Sequence, residues 1–365
     1  MNLSEFAAVV RRGIVIAALA VVAFIILRVL YGLAVNIYLT LNPPPEPPPT
    51  IGFGKLPQLR LPSLEVKGNP TYLLETPTGA LPQFDDRAYV VAMKPIQPTL
   101  LGEEKARQLA DALDFGGEGE LSADKKLLTF RDLIDQRTLT VNVTTQNFNL
   151  ATSVSRMSTL PKGSAPSGAE AVKSAQQLLS QLGLLKFGFD TGNQTTLFLA
   201  AGTGPQLEKA GSISEAHLTE VNFFRSLTGI AEQNFPILPA DPKKGLIQVQ
   251  ITTGLKPEIN NTLGIVYNAQ ETEIDKEKFE TYPLRDVGEA WEEVKTGQGI
   301  AYVGTSGDLQ TIQINSVSLA YFDDTVHQEY LQPIYVFSGV AKTGDGKEFE
   351  FVAYSQAISG DWIKE

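Results

Sequence analysis

From Gly13 to Leu41 the chain reads GIVIAALAVVAFIILRVLYGLAVNIYLTL, a run whose only ionisable side chains are Arg28, Tyr31 and Tyr38. A helix needs roughly 20 apolar residues to cross a bilayer, so this run is long enough to span one. Arg28 opposes insertion, because a cation at mid-membrane costs roughly 2.5 to 3.5 kcal/mol. Fifteen Leu, Ile, Phe and Val lie between Ile14 and Ile37. At roughly −0.3 to −0.6 kcal/mol each they sum to roughly −4.5 to −9 kcal/mol, which outweighs the arginine. Residues 13–41 are therefore expected to form a transmembrane helix. Arg11 and Arg12 precede the run and no Lys or Arg follows it until Lys55. That asymmetry places a short tail, 1–12, in the cytoplasm and the bulk of the chain outside it, as a single-pass protein of the cell membrane. A cleaved signal peptide ending at the small residues Gly32-Leu33-Ala34 is the rival reading. Hydrophobicity continuing past that site suits a retained anchor better. Arg28 itself either snorkels to the headgroups or makes a polar contact with another membrane helix, a candidate partner contact.

Pro43-Pro44-Pro45-Glu46-Pro47-Pro48-Pro49 follows at once, with Pro57 and Pro62 further on. Proline fixes φ and lacks a donor, so 42–67 reads as an extended Pro-rich stalk with too few periodic apolar positions to add much core. Beyond residue 42 the chain carries 27 Lys and Arg against 40 Asp and Glu, a formal −13. So acidic a region repels phosphates, and nucleic acid is discounted as a partner. With no cysteine in the chain, disulfides, thiolate metal sites and thiol nucleophiles are excluded. His217 and His327 are the only imidazoles.

Three segments carry apolar residues at helical spacing: Ala106, Leu109, Ala110, Leu113; Ala175, Leu178, Leu179, Leu182; and Val287, Ala290, Trp291, Val294. Such stripes predict amphipathic helices. Gly116, Gly183 and Gly297 are placed to end them, Ser167 and Glu170 to form a capping box on the second, and Pro283 to open the third. Elsewhere the period is two. Strands are predicted at 138–143, 195–200, 218–224, 246–251, 263–267, 312–321, 334–340 and 348–354, with a bulge near Asn315 and Ser316 and a hairpin at Gly344-Asp345-Gly346. Helix followed by antiparallel strands, about three times over, gives an α+β fold. Its expected modules are 68–165, 166–280 and 281–365.

An amphipathic helix leading into a meander resembles the PepSY-type module. The stretch PLRDVGEAWEEVKTGQG, INSVSLAYFDD, YLQPIYVFSGVAKTGDG and FVAYSQAI, within 283–358, is similar to membrane-anchored extracytoplasmic proteins of the YycH and YycI kind. The resemblance implies a non-enzymatic module that modulates a membrane or envelope partner such as a sensor kinase or protease.

No phosphate-cradling loop, HExxH or GxSxG elbow is present, and no cofactor motif. Ser122-Ala123-Asp124-Lys125 matches the SxxK spacing of penicillin-recognising serine enzymes, so a cell-envelope serine hydrolase using Ser122 and Lys125 is the alternative function. It lies in a polar turn and lacks SDN and KTG partners. Asp323, Asp324 and His327, with Glu329, form the densest cluster that oxygen and nitrogen chemistry would offer a divalent ion. A solvated loop is the plainer reading. Trp291 falls on the core face of its helix, and His217 beside a strand reads as structural.

Overall fold

The computed structural model describes residues 3–41, 48–95, 100–202, 204, 206–230, 234–253, 255, 261–269 and 273–364, with the backbone alone of 3–12, 15, 18 and 39. The side chains of Arg11 and Arg12 and the prolines 43–47 lie outside the described residues. The chain divides into two units, Met1–Pro48 and Pro49–Glu365.

The first unit is one helix, α1 (Leu3–Leu41). Within it Leu19–Tyr38 is long and apolar enough to cross a membrane, and none of that window is buried against protein. An isolated helix with aliphatic groups on every side has no aqueous partner for them, so a lipid or signal anchor accounts for it.

The second unit is mostly sheet. It opens with β1 (Thr71–Leu74), β2 (Arg87–Met93), α2 (Gly102–Ala112), β3 (Glu120–Leu121), β4 (Leu127–Asp132), β5 (Arg137–Asn142) and β6 (Phe148–Thr152). Next come α3 (Val154–Met157), α4 (Gly168–Gln181), β7 (Gln194–Ala201), β8 (Leu207–Lys209), β9 (Leu218–Phe223), β10 (Arg225–Leu227), β11 (Phe235–Leu238), β12 (Ile247–Ile251) and β13 (Thr262–Tyr267). It closes with β14 (Ile274–Pro283), α5 (Val287–Lys295), β15 (Ile300–Val303), β16 (Leu309–Phe322), β17 (Tyr330–Thr343) and β18 (Glu348–Gln356).

Two nine-stranded sheets result. The first, which we call the inserted sheet, runs β3-β4-β5-β6-β13-β12-β9-β7-β8 and is antiparallel throughout. It contains two meanders, β4-β5-β6 after α2 and β9-β12-β13 after α4, whose last strands pair with each other. Phe148 stacks on Tyr267 across that seam at 5.3 Å. Alternate residues such as Leu139, Val141, Val249 and Ile265 face α2 and α4, and alanines at 106, 110, 171 and 175 let both helices approach closely. The second, the framing sheet, runs β10-β11-β16-β17-β18-β15, with β1 parallel to β16 and β2 joining β14 to β17. Trp291 of α5 is buried on one of its faces beside Phe337, ring centroids 5.8 Å apart. Leu59, Phe322, Ile334 and Tyr354 fill another cluster of the same sheet.

The helices and the eight expected strands are present, and the bulge falls between Ile314 and Ser316. Several details differ. Asp114, at φ 58°, takes the left-handed position after α2 where Gly116 was expected, whereas Gly183 and Gly297 have the positive φ foreseen for them. Pro283 ends β14, and α5 is opened by Asp286, whose carboxylate accepts from the Gly288 N–H at 2.7 Å. The strands also do not sort into 68–165, 166–280 and 281–365. β1 and β2 join the C-terminal strands, and β10 and β11 leave the middle segment to do the same.

The stalk assignment for 42–67 needs correction as well, since residues from Pro49 onward belong to the folded unit. Ile51 N–H donates to Thr281, Leu56 N–H to Trp362 and Leu64 N–H to Ile300, all to backbone carbonyls. Leu56 is fully buried with Val90, Tyr282 and Ile358. Prolines are tolerated here because only the intervening residues need to donate along the sheet edges.

Candidate functional site

Arg28 lies in α1, inside the apolar window and exposed. No contact to its guanidinium is present among the described residues.

Ser122 sits in the turn between β3 and β4. Its hydroxyl donates to Asp124 Oδ1 and accepts from the backbone N–H of Leu127 at 3.0 Å and Lys126 at 3.3 Å. Asp124, the carboxylate beside it, is held below its ordinary pKa by the Ser122 hydroxyl. Lys125 has φ 58° and is exposed. The serine therefore ties a surface hairpin together, with its lone pairs taken by amides instead of pointing to a base. That placement disfavours Ser122 and Lys125 as a catalytic pair.

Asp323, Asp324 and His327 follow the end of β16. Asp323 is buried and ion-paired to Arg225, Nη1 to Oδ2 at 2.6 Å, with both side chains almost wholly out of water. Asp324 turns outward and accepts from the Thr325 N–H. His327 Nδ1 is closed off from water with no hydrogen-bond partner among the described residues. Among those residues no three His, Asp or Glu side chains converge as metal ligands do. Buried Asp323 would be intolerable alone, and the guanidinium resolves its charge.

Arg225 was the residue the sequence concealed. It starts β10, separated only by Phe224 from β9 of the inserted sheet. Its Nε donates to the Phe187 carbonyl at 2.8 Å, and its guanidinium lies 5.4 Å from the Phe189 ring centroid. Phe187 and Phe189 follow α4, with Phe189 in the core of the inserted sheet, and Asp323 directly follows β16 of the framing sheet, so one side chain joins both sheets. Nothing in the local pattern RSL marks it, because the acid lies 98 residues away.

His217 is buried, and its Nδ1 accepts from the Ala201 N–H at 3.1 Å. Burial, reinforced by Lys162, pushes its pKa below the ordinary 6.5. It is therefore a neutral, structural imidazole.

Two cavities are lined by described residues alone. One, about 490 Å³, lies between residues 81–86 and the start of α5. Its Arg285 is clamped by Glu293, Nη2 to Oε2 at 2.6 Å, and by Ser355. The arginine holds the Glu293 carboxyl below the usual range, and burial pushes Tyr335 up to about 12. These contacts pin α5 to β18, while the buried Arg285 Nε has no hydrogen-bond partner among the described residues. The other cavity is a groove of about 760 Å³ between α4 and the ends of β12 and β13. Glu170, Ser174, Gln177 and Gln181 form one wall, and Thr253 and Asn261 stand on the other. The far wall is rigid, because Thr253 donates to the Ser164 carbonyl through both N–H and Oγ1 at 2.7 Å.

No family model and no curated protein matches the chain. Solved structures do. An uncharacterized protein from Eubacterium rectale ATCC 33656, a crystal structure at 1.45 Å resolution, is similar at a TM-score of 0.42 and 12% identity, over 76% of this chain and 85% of that one.

Proposed function

We propose that this is a membrane-anchored binding or regulatory protein whose folded unit works outside the cytoplasm on a membrane or envelope partner. The observation that carries the reading is the pairing of an unburied apolar helix, Leu19–Tyr38, with a folded unit that has a groove beside α4 whose lining combines hydroxyl and amide groups with apolar side chains and one carboxylate. Such a lining holds a ligand through hydrogen bonds and offers no activated nucleophile. The Arg11 and Arg12 flank supports a cytoplasmic N-terminus. The likeness of 283–358 to YycH- and YycI-like proteins supports a modulating role. A periplasmic or surface reporter fused after Glu365 should be active only outside the cytoplasm, and a cytoplasm-only signal would overturn the proposal.

Arg28 is proposed to help select a partner within the membrane. Arg28→Leu should leave abundance intact while weakening recovery of a membrane protein, or of a second copy, in mild detergent. Equal recovery would assign Arg28 to snorkelling instead. The serine-hydrolase alternative is tested by a fluorescent acylating probe. Labelling that disappears in Ser122→Ala would revive it.

A further inference from the structure

The loop between β4 and β5, Leu133-Ile134-Asp135-Gln136, closes a hairpin whose last paired residues are Asp132 and Arg137. Turns favour Gly, Asn, Asp and Ser, which supply local hydrogen bonds or a positive φ. Here the two leading positions are aliphatic instead. Leu133 and Ile134 leave 85% and 89% of their surface to water, whereas every other large apolar side chain described in the folded unit, Leu100 apart, leaves 57% or less. Neither belongs to the core of the inserted sheet.

The tip is firmly held from below. Asp132 Oδ1 accepts from the N–H of Ile134 at 3.0 Å and of Asp135 at 3.1 Å. Its Oδ2 accepts from Arg137 Nη2 at 2.9 Å, and that buried guanidinium also donates to the carbonyls of Leu113 and Asp114. On the next strand the Ser153 N–H donates to the Gln136 carbonyl at 3.0 Å. The charges flanking the aliphatic pair have opposite partners: Asp132 with Arg137, Asp135 with Arg156 at 3.7 Å, and Arg131 with Glu120. These charges are thus neutralised in place, and the turn donors of Ile134 and Asp135 need no water. Both conditions ease the approach of a tip to an apolar phase.

We propose that Leu133 and Ile134 form a wedge that enters the surface of the bilayer in which the chain is anchored. Area selects lipid over a protein partner. Two such side chains bury roughly 200 Å² between them, far less than the about 800 Å² that each side contributes to a stable protein interface. The other exposed leucines of this hairpin, Leu121 and Leu127, lie at its opposite end and cannot enlarge the patch. A tethered unit needs much less. Residues 42–48 join α1 to the folded unit, and seven residues of chain reach at most about 25 Å. So short a tether sets an effective concentration on the order of millimolar against the lipid. The wedge is shallow, because Asp132 and Asp135 stay with the headgroups. The formal −13 of the chain beyond residue 42 favours zwitterionic over anionic lipid. The proposal rests on the reading of α1 as a membrane anchor and adds a second contact with the same membrane.

The chain has no cysteine, so Ile134→Cys can carry a single environment-sensitive fluorophore at a known place. Lys126→Cys, exposed just before the opposite end of β4, carries the same dye as a reference. Both full-length chains are reconstituted into phosphatidylcholine vesicles containing nitroxide-labelled lipid and recovered by flotation. Quenching at position 134 should exceed quenching at position 126 at least about two-fold. Adding Leu133→Ser to the Ile134→Cys chain should lower it to the reference level. The unlabelled double variant, Leu133→Ser with Ile134→Ser, should unfold at the parent's midpoint, because neither side chain is buried. Equal quenching at the two sites, or quenching that survives Leu133→Ser, overturns the wedge and leaves the tip to a pocket on a partner protein. A chain that fails to float with the vesicles overturns the anchor and the wedge with it, so the two failures are told apart.

Discussion

In the inserted sheet a strand such as β5 buries every second residue, whereas in the framing sheet β17 buries seven in a row, from Leu331 to Phe337. The first kind of strand needs one covering layer. Helices from the same stretch of chain supply it: α2 precedes the β4-β5-β6 meander, and α4 precedes β7, β8 and then the β9-β12-β13 meander. The second kind needs cover on both faces. That cover comes from residues far apart in the chain, namely α5 on one side and the segment after Pro49 with β1 and β2 elsewhere around the sheet. Even the polar member of the run is served from afar, with Gln332 donating to the Pro57 carbonyl at 2.9 Å and accepting from Gln356 at 3.0 Å. A sheet dry on one side can be assembled locally, while one dry on both sides must recruit distant chain.

The contrast is broken most severely at the residue that joins the sheets. Arg225→Ala strands Asp323 in a dry site, and an unpaired buried carboxylate should cost about 3–5 kcal/mol in urea unfolding. Arg225→Met with Asp323→Leu should recover much of that loss, because no charge is then left unpaired. If the single variant unfolds like the parent, the two sheets are held by other contacts.

Recruitment of distant chain is tested at Leu56. Leu56→Ala removes a fully buried side chain and should destabilise by about 2–5 kcal/mol. A chain beginning at Gly68 should be weaker still, since it loses the Leu59 packing and the edge bonds too. Unchanged stability in that truncation would return 49–67 to the role of a stalk.

A local change should do less, as Ser167→Ala shows. It removes the capping box of α4 and should cost about 1 kcal/mol, the usual value of a helix cap. Hydrogen exchange should loosen at the start of α4 and leave α5 and β17 unaffected.

The smallest effect is a pH dependence confined to the inserted sheet. Because the folded pKa of His217 lies below 6.5, the unfolded chain binds the extra proton first as pH falls. Stability contributed by neutral His217 is therefore complete above about pH 6.5 and declines below it until the folded pKa is passed. His217→Gln should flatten that part of the profile between about pH 7 and 5. An unchanged slope would assign acid sensitivity to the carboxylates.

What the sequence settled by itself is whatever depends on spacing. The apolar run 13–41 is legible because a bilayer demands length. The helices at 106–113, 175–182 and 287–294 are legible because one covered face leaves a stripe at period 3.6, and β5 and β12 because it leaves an alternation at period two. Ser167 and Glu170 could be paired because a cap is made within four residues. The tertiary structure decided what depends on separation. β17 carries no alternation once both faces are dry, so its partners β2 and β16 could not be chosen from its pattern. Arg225 and Asp323 find each other across 98 residues, and the groove beside α4 exists only because the ends of β12 and β13 arrive opposite a helix face that in the sequence looks merely solvated. Local periodicity records how many faces of an element are covered; it holds no information about which distant residues do the covering.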